Sequence, residues 1–102
     1  MNDIITNETV LNKHNKEHLA LVECMNSALY EIWEYFKAGN TEAHAFMHSK
    51  TRERLVQFEL NFENADIPEF SIRATYEVYE AIMAETMPVL NRLRNQNIAQ
   101  VV

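Results

Sequence analysis

Glycine occurs once in this chain of 102 residues and proline twice. Sheet topologies and small barrels need such breakers at many turns, so few, long elements are expected. No GxxxxGK[ST] or GxGxxG run is present, which argues against a dedicated nucleotide cradle. Cys24 is the single cysteine. It excludes an intrachain disulfide and a thiolate metal cluster, and it suits a reducing compartment. Long apolar runs are missing too: stretches such as Leu19-Ala20-Leu21-Val22 end after four residues and cannot span a bilayer. The opening residues, Met1 to Asn7, have neither the basic region nor the apolar core of a secretory signal, so a cytoplasmic location is expected. Basic residues are outnumbered by acidic ones, 9 against 15, for a net charge of −6. That balance disfavours non-specific binding to DNA, RNA or anionic membrane.

What the chain does have is apolar side chains, 47% of its residues, arranged with helical spacing. A chain of this length forms one domain and buries roughly two-thirds of the surface its unfolded form exposes. The expected fold class is all-α: a single domain over residues 1–102, built as an elongated three-helix bundle about 40 Å long. Residues 1–6 read as a loose lead-in, after which Thr6 or Asn7 caps a helix over about 8–38. Gly39 then supplies a left-handed stop, and Asn40 or Thr41 caps a second helix over about 41–64, giving an antiparallel hairpin. Asp66-Ile67-Pro68-Glu69 carries start signals for a third helix over about 67–96, which Pro88 should kink.

Three seams support this division. Leu11, His14, His18, Val22, Met25, Leu29, Ile32 and Phe36 follow a three-four spacing in the first helix. His44, His48, Thr51, Leu55, Phe58, Phe62 and Ala65 do so in the second. Ile72, Tyr76, Tyr79, Met83, Thr86, Leu90 and Leu93 form the third, widened by Val78, Ile82 and Val89. Charge agrees with an antiparallel first pair. Lys13 and Lys16 oppose the dipole at the start of their own helix but fall beside Glu59, Glu63 and Asp66 after the hairpin closes. Lys50, Arg52 and Arg54 are placed alongside Glu23, Glu31 and Glu34. That basic trio is a solvated, salt-bridged face rather than a phosphate footprint, so nucleic acid is not an expected partner. Cys24, at the edge of the first seam, reads as an inert, partly buried thiol.

All four histidines fall in His-x-x-x-His pairs, His14/His18 and His44/His48, the spacing that sets two imidazoles one turn apart on a helix. His14-Asn15-Lys16-Glu17-His18 also resembles the HxxEH order of inverted zincin proteases over these five residues, without the second, glutamate-rich motif of such a site. Folding at Gly39 separates the two pairs by roughly 30 Å along the bundle, so one chain does not form a four-histidine site. Because all four lie on packing seams, core-edge packing is the expected role. Zinc or another divalent metal held by His14, His18, His44 and His48 is the alternative.

A second apolar stripe points elsewhere. Phe46, Val56 and Leu60 lie opposite the main seam of the second helix, and Leu19 and Tyr30 fall outside that of the first. A three-helix monomer would leave such residues in water, and a contiguous set of them marks an interface. With no cofactor motif and no convergent polar site, the expectation is a non-enzymatic helical interaction module that binds a protein partner and forms a homodimer. A regulator, adaptor or inhibitor fits this profile, including one encoded by a phage or mobile element.

Overall fold

A computed structural model describes residues 8–64 and 74–101, and among these the chain is all-helical. Four helices follow in order: α1 (Lys16–Lys37), α2 (Thr41–Met47), α3 (Lys50–Glu63) and α4 (Tyr76–Val101). Three were expected. The segment Asp66-Ile67-Pro68-Glu69, anticipated as the start of the last helix, and the seam residues Ala65 and Ile72 lie outside the described residues.

The first helix starts eight residues later than expected because two asparagines divert the backbone. The Asn12 side chain accepts from the His14 N–H at 3.0 Å, and Asn15 accepts from the N–H groups of Glu17 and His18 at 2.9 and 3.2 Å. Short amides compete with helical hydrogen bonds in this way, favouring turns and caps over helix interiors. Asn15 is therefore the N-cap. Upstream the chain is extended: Val10 forms an antiparallel bridge with Thr75, the Leu11 N–H donates to the Ala74 carbonyl at 2.8 Å, and the Tyr76 N–H donates to Thr9 at 2.9 Å. Leu11 is fully buried as a result.

The turn after α1 is the one expected. Gly39 adopts φ +89°, its N–H donates to Phe36 and the Asn40 N–H reaches back to Tyr35. This pair of bonds is a Schellman motif, and its left-handed residue has no Cβ to strain. Asn40 then caps α2 by accepting from Ala43.

The expected second helix is broken at His48-Ser49. Ser49 is extended, at φ −90° and ψ 164°. Its hydroxyl donates to the Phe46 carbonyl at 2.6 Å and accepts from the Arg52 N–H at 3.2 Å. It thereby closes α2 and opens α3. The break changes the phase of the apolar pattern. Phe46 and Leu55 are nine residues apart, which in a continuous helix places them on opposite faces. With the break, both are buried, at 5% and 0% exposure.

Two core clusters follow. Leu11, Val22, Met25, Leu55, Phe58, Phe62, Ala74, Tyr79 and Ile82 form one, and Ala28, Ile32, Ala43, Phe46, Leu90 and Leu93 the other. Leu29 and Met83 pack against both. The order of these contacts sets the directions: α1 and α4 run the same way. On α3, Arg54 pairs with Glu85 while Phe58 meets Tyr79, so α3 runs against α4. The helix α4 continues through Pro88.

The charge pairs differ from those expected of Lys50, Arg52 and Arg54. Arg54 binds Glu85 of α4, while Glu31 of α1 holds Arg94 in a two-bond fork, both at 2.8 Å. Lys50 pairs with Glu53 of its own helix, and Arg52 faces α1 beside Asn26, Tyr30 and Trp33, so among the described residues none of the three meets Glu23, Glu31 or Glu34. Lys13 does reach the end of α3, but it donates to the Glu63 backbone carbonyl at 2.8 Å. A cation there satisfies a helix terminus directly.

Candidate functional site

A groove of about 440 Å³ opens between α1 and α3. On α1 it is lined by Asn26, Leu29, Tyr30 and Trp33, whose three-four spacing puts them on one face. Met47, at the end of α2, closes one end. On α3, Arg52 and Glu59 are two turns apart and share a face. The walls are thus apolar and aromatic, with a cation and a carboxylate set apart along the length.

Neither charge is well served. Asn26 faces the Glu59 carboxylate, and the amide orientation that satisfies both groups puts its nitrogen 2.8 and 2.9 Å from the two oxygens as a donor. The Glu59 carboxyl is pushed above its ordinary range, first by burial and then by the negative charge of Glu63 one turn on. Arg52 is worse off. Its Nε is sealed from solvent with no hydrogen-bond partner, and its guanidinium has no carboxylate among the described residues. The other described arginines each hold one: Arg54 with Glu85, Arg92 with Glu42, Arg94 with Glu31. An unsatisfied buried donor costs about 1–3 kcal/mol.

Exposed apolar side chains gather on the same side. Leu19, Tyr30 and Leu60 are 37%, 64% and 48% exposed, the large hydrophobic residues most open to water among those described. Tyr30 lines the groove, and Leu19 lies seven residues before Asn26 on the same helical face. Val56, half-buried, falls between Arg52 and Glu59, and Leu60 follows Glu59 on the outer rim. Four of the five residues proposed from sequence as a contact face therefore share this flank. Phe46 does not: the break at Ser49 turns it into the core beside Ala28, Ile32, Leu90 and Leu93.

The histidines separate. His14 precedes the Asn15 cap and is exposed, so it does not stack one turn below His18. His18 is buried in the first turn of α1, where its Nδ1 accepts from the Asn12 N–H at 3.2 Å. That pair is no two-ligand site. His44 and His48, expected on a packing seam, are both exposed, for the same reason that Phe46 is buried. Their rings stack at 4.4 Å and continue a row through Phe36, 5.6 Å from His44, to Trp33, 5.1 Å from Phe36. His48 Nδ1 is 3.0 Å from the His44 carbonyl, leaving Nε2 to face outward. Among the described residues no group of three or more His, Cys, Asp or Glu side chains is placed to hold a metal ion. Cys24 is exposed rather than partly buried.

Sequence reasoning placed Arg52 in a solvated face and left Asn26, Trp33 and Glu59 out of the site. The available signal was the lines Asn26-Tyr30-Trp33 and Arg52-Val56-Glu59, amphipathic stripes at 90° or so to the main seams. No protein-family model, no curated protein and no solved structure matches this chain. None of the described helices is long and apolar enough to cross a membrane.

Proposed function

We propose that the chain is a small, non-enzymatic helical interaction module that acts in the cytoplasm by binding protein through the α1/α3 groove. A regulator, adaptor or inhibitor works in this way. The observation that carries the reading is the coincidence on one flank of an apolar groove, an arginine without a carboxylate partner among the described residues, and the described large hydrophobic residues most open to water. Buried aromatic and arginine side chains ringed by apolar residues are the composition of binding hot spots. Capture from the native source with wild-type, Leu60→Asp and Tyr30→Ala baits tests it. A protein retained by wild type and by the α4 surface control Glu80→Ala, but lost from both groove variants, is the expected result. Capture indifferent to Leu60 and Tyr30 overturns the proposal.

Metal binding is the second reading, and the stacked, exposed His44/His48 pair is what favours it. His48 is oriented by the His44 carbonyl in the manner of an outer-shell hydrogen bond. Elemental analysis of untagged protein decides between the two. Stoichiometric zinc, nickel or copper that disappears in His44→Ala would replace the interaction reading.

A further inference from the structure

We propose that the occupant of the α1/α3 groove is a second copy of this chain, related by a two-fold axis that sets Arg52 of each copy against Glu59 of the other. The inference rests on the groove being a protein-binding face and names what fills it.

The argument is one of self-complementarity. In a two-fold interface the same patch meets itself, so every cation needs an anion at an equal distance across the axis. Arg52 and Glu59 are seven residues apart on one face of α3, about 10.5 Å along the helix. An axis perpendicular to α3 near Val56 brings each onto its opposite. On α1, Leu29 and Tyr30 lie midway between Asn26 and Trp33, so the same axis passes beside Tyr30. The most exposed large hydrophobic side chain described, at 64%, thus falls at the centre of the interface, with Leu60 flanking it. Centrally placed aromatics surrounded by polar groups are the arrangement in which association is strongest.

The electrostatics point the same way. Arg52 has no carboxylate partner among the described residues, and Glu59 is desolvated and pressed by Glu63. A charge pair between copies gives the terminal guanidinium nitrogens of the first a carboxylate, although its buried Nε stays out of reach, and relieves the second; there are two such pairs per dimer. A guanidinium fork on a carboxylate is the strongest of the charge-assisted hydrogen bonds and the most directional. The remaining described arginines are already occupied within the chain, which leaves Arg52 as the described guanidinium available for this role.

Sedimentation equilibrium of the full chain, over roughly 1–200 µM, tests the proposal because a homodimer's population follows protomer concentration. Wild type is expected to be a dimer. Arg52→Glu and Glu59→Arg are each expected to raise the dissociation constant by about 100-fold or more, since like charges then face one another across the axis. Mixed in equal amounts, the two variants regain opposite charges at both sites and should form a one-to-one heterodimer. Folding is protected in the first variant: a glutamate three residues after Ser49 completes a capping box at the start of α3. Circular dichroism checks it in the second. A wild-type chain that stays monomeric overturns the proposal, as do dimeric single variants or a mixture that fails to pair while both are folded. A monomer whose groove variants still lose a captured protein removes the second copy but keeps the interaction module. A dimer insensitive to Arg52, Glu59 and Tyr30 removes the groove itself.

Discussion

Replacing Phe46 by alanine and, separately, Ser49 by alanine separates the folded arrangement from the helical pattern that the sequence suggests. Phe46 is 5% exposed and packed among Ala28, Ile32, Ala43, Leu90 and Leu93. Its truncation removes a buried ring and leaves a cavity, which costs about 3–5 kcal/mol. For a domain of this size that lowers Tm by about 12–20 °C, taking about 4 °C per kcal/mol. Ser49→Ala removes the hydroxyl that caps α3 and ties off the Phe46 carbonyl. Loss of such a cap costs about 1 kcal/mol. A continuous helix over 41–64 reverses the second result and abolishes the first. Phe46 would then be a surface residue whose truncation changes stability by only about 0.5 kcal/mol. Alanine would be a better helix former than serine, so Ser49→Ala would stabilise by roughly 0.5 kcal/mol. Thermal and urea unfolding followed by circular dichroism measure both, with Leu60→Ala as the exposed control. A Phe46→Ala variant within 1 kcal/mol of wild type, or a Ser49→Ala variant more stable than it, refutes the break and with it the burial of Phe46.

Other consequences are open to the same measurements. Leu11→Ala should cost about 2–5 kcal/mol, because a fully buried leucine is deleted from a segment held by main-chain bonds to residues 74 and 76. Gly39→Ala should cost about 1–2 kcal/mol; the added methyl meets no neighbour within 4 Å, so the penalty is the left-handed backbone alone. In the single chain, at concentrations too low for pairing, Glu59→Gln should stabilise the fold at neutral pH, whereas in the proposed dimer it removes the charge that faces Arg52. The Glu59 carboxyl is raised above its unfolded range, so its favourable contribution is complete below the ordinary glutamate value and is lost as pH rises through the raised one. Unfolding free energy should therefore fall less steeply with rising pH in the variant across that window. The carboxyl of Glu31 shifts the opposite way, lowered by its hydrogen bonds to Arg94. Its stabilising contribution is present above the ordinary glutamate value and lost as pH falls through the lowered one, so Glu31→Gln should show less acid sensitivity than wild type.

The helical class was legible in the sequence because the three-four spacing is dense and glycine is scarce. The hairpin turn was legible because one residue, Gly39, has the freedom that a Schellman motif requires. What the pattern concealed was the competition between side chain and backbone at Asn12, Asn15 and Ser49. Each has a weak helical preference, and each ends a run that periodicity alone would continue. The error at Ser49 then propagated, since a phase shift of half a turn exchanges inside for outside. It exposed His44 and His48, buried Phe46, and moved Arg54 from α1 to α4. The contact face survived in part because Leu19 and Tyr30 depend only on α1, and Val56 and Leu60 only on α3. Arg52 was invisible as an anchor, because whether a charge has a partner depends on tertiary distances and not on its neighbours in sequence.

The extended segment before α1 gives the molecule an uneven response to force. Among the described residues its ties to the rest of the fold include the two main-chain hydrogen bonds that make the Val10–Thr75 bridge, the buried Leu11 and the Lys13 side chain on the Glu63 carbonyl. A load applied from the N-terminal side is borne by those few contacts before it reaches α1. The helices beyond them share two interlocked cores and a row of cross-helix ion pairs, so they should yield together and at higher load. The chain therefore has a weak handle joined to a stiff body. A pull on residue 8 would test the first long before it strained the second.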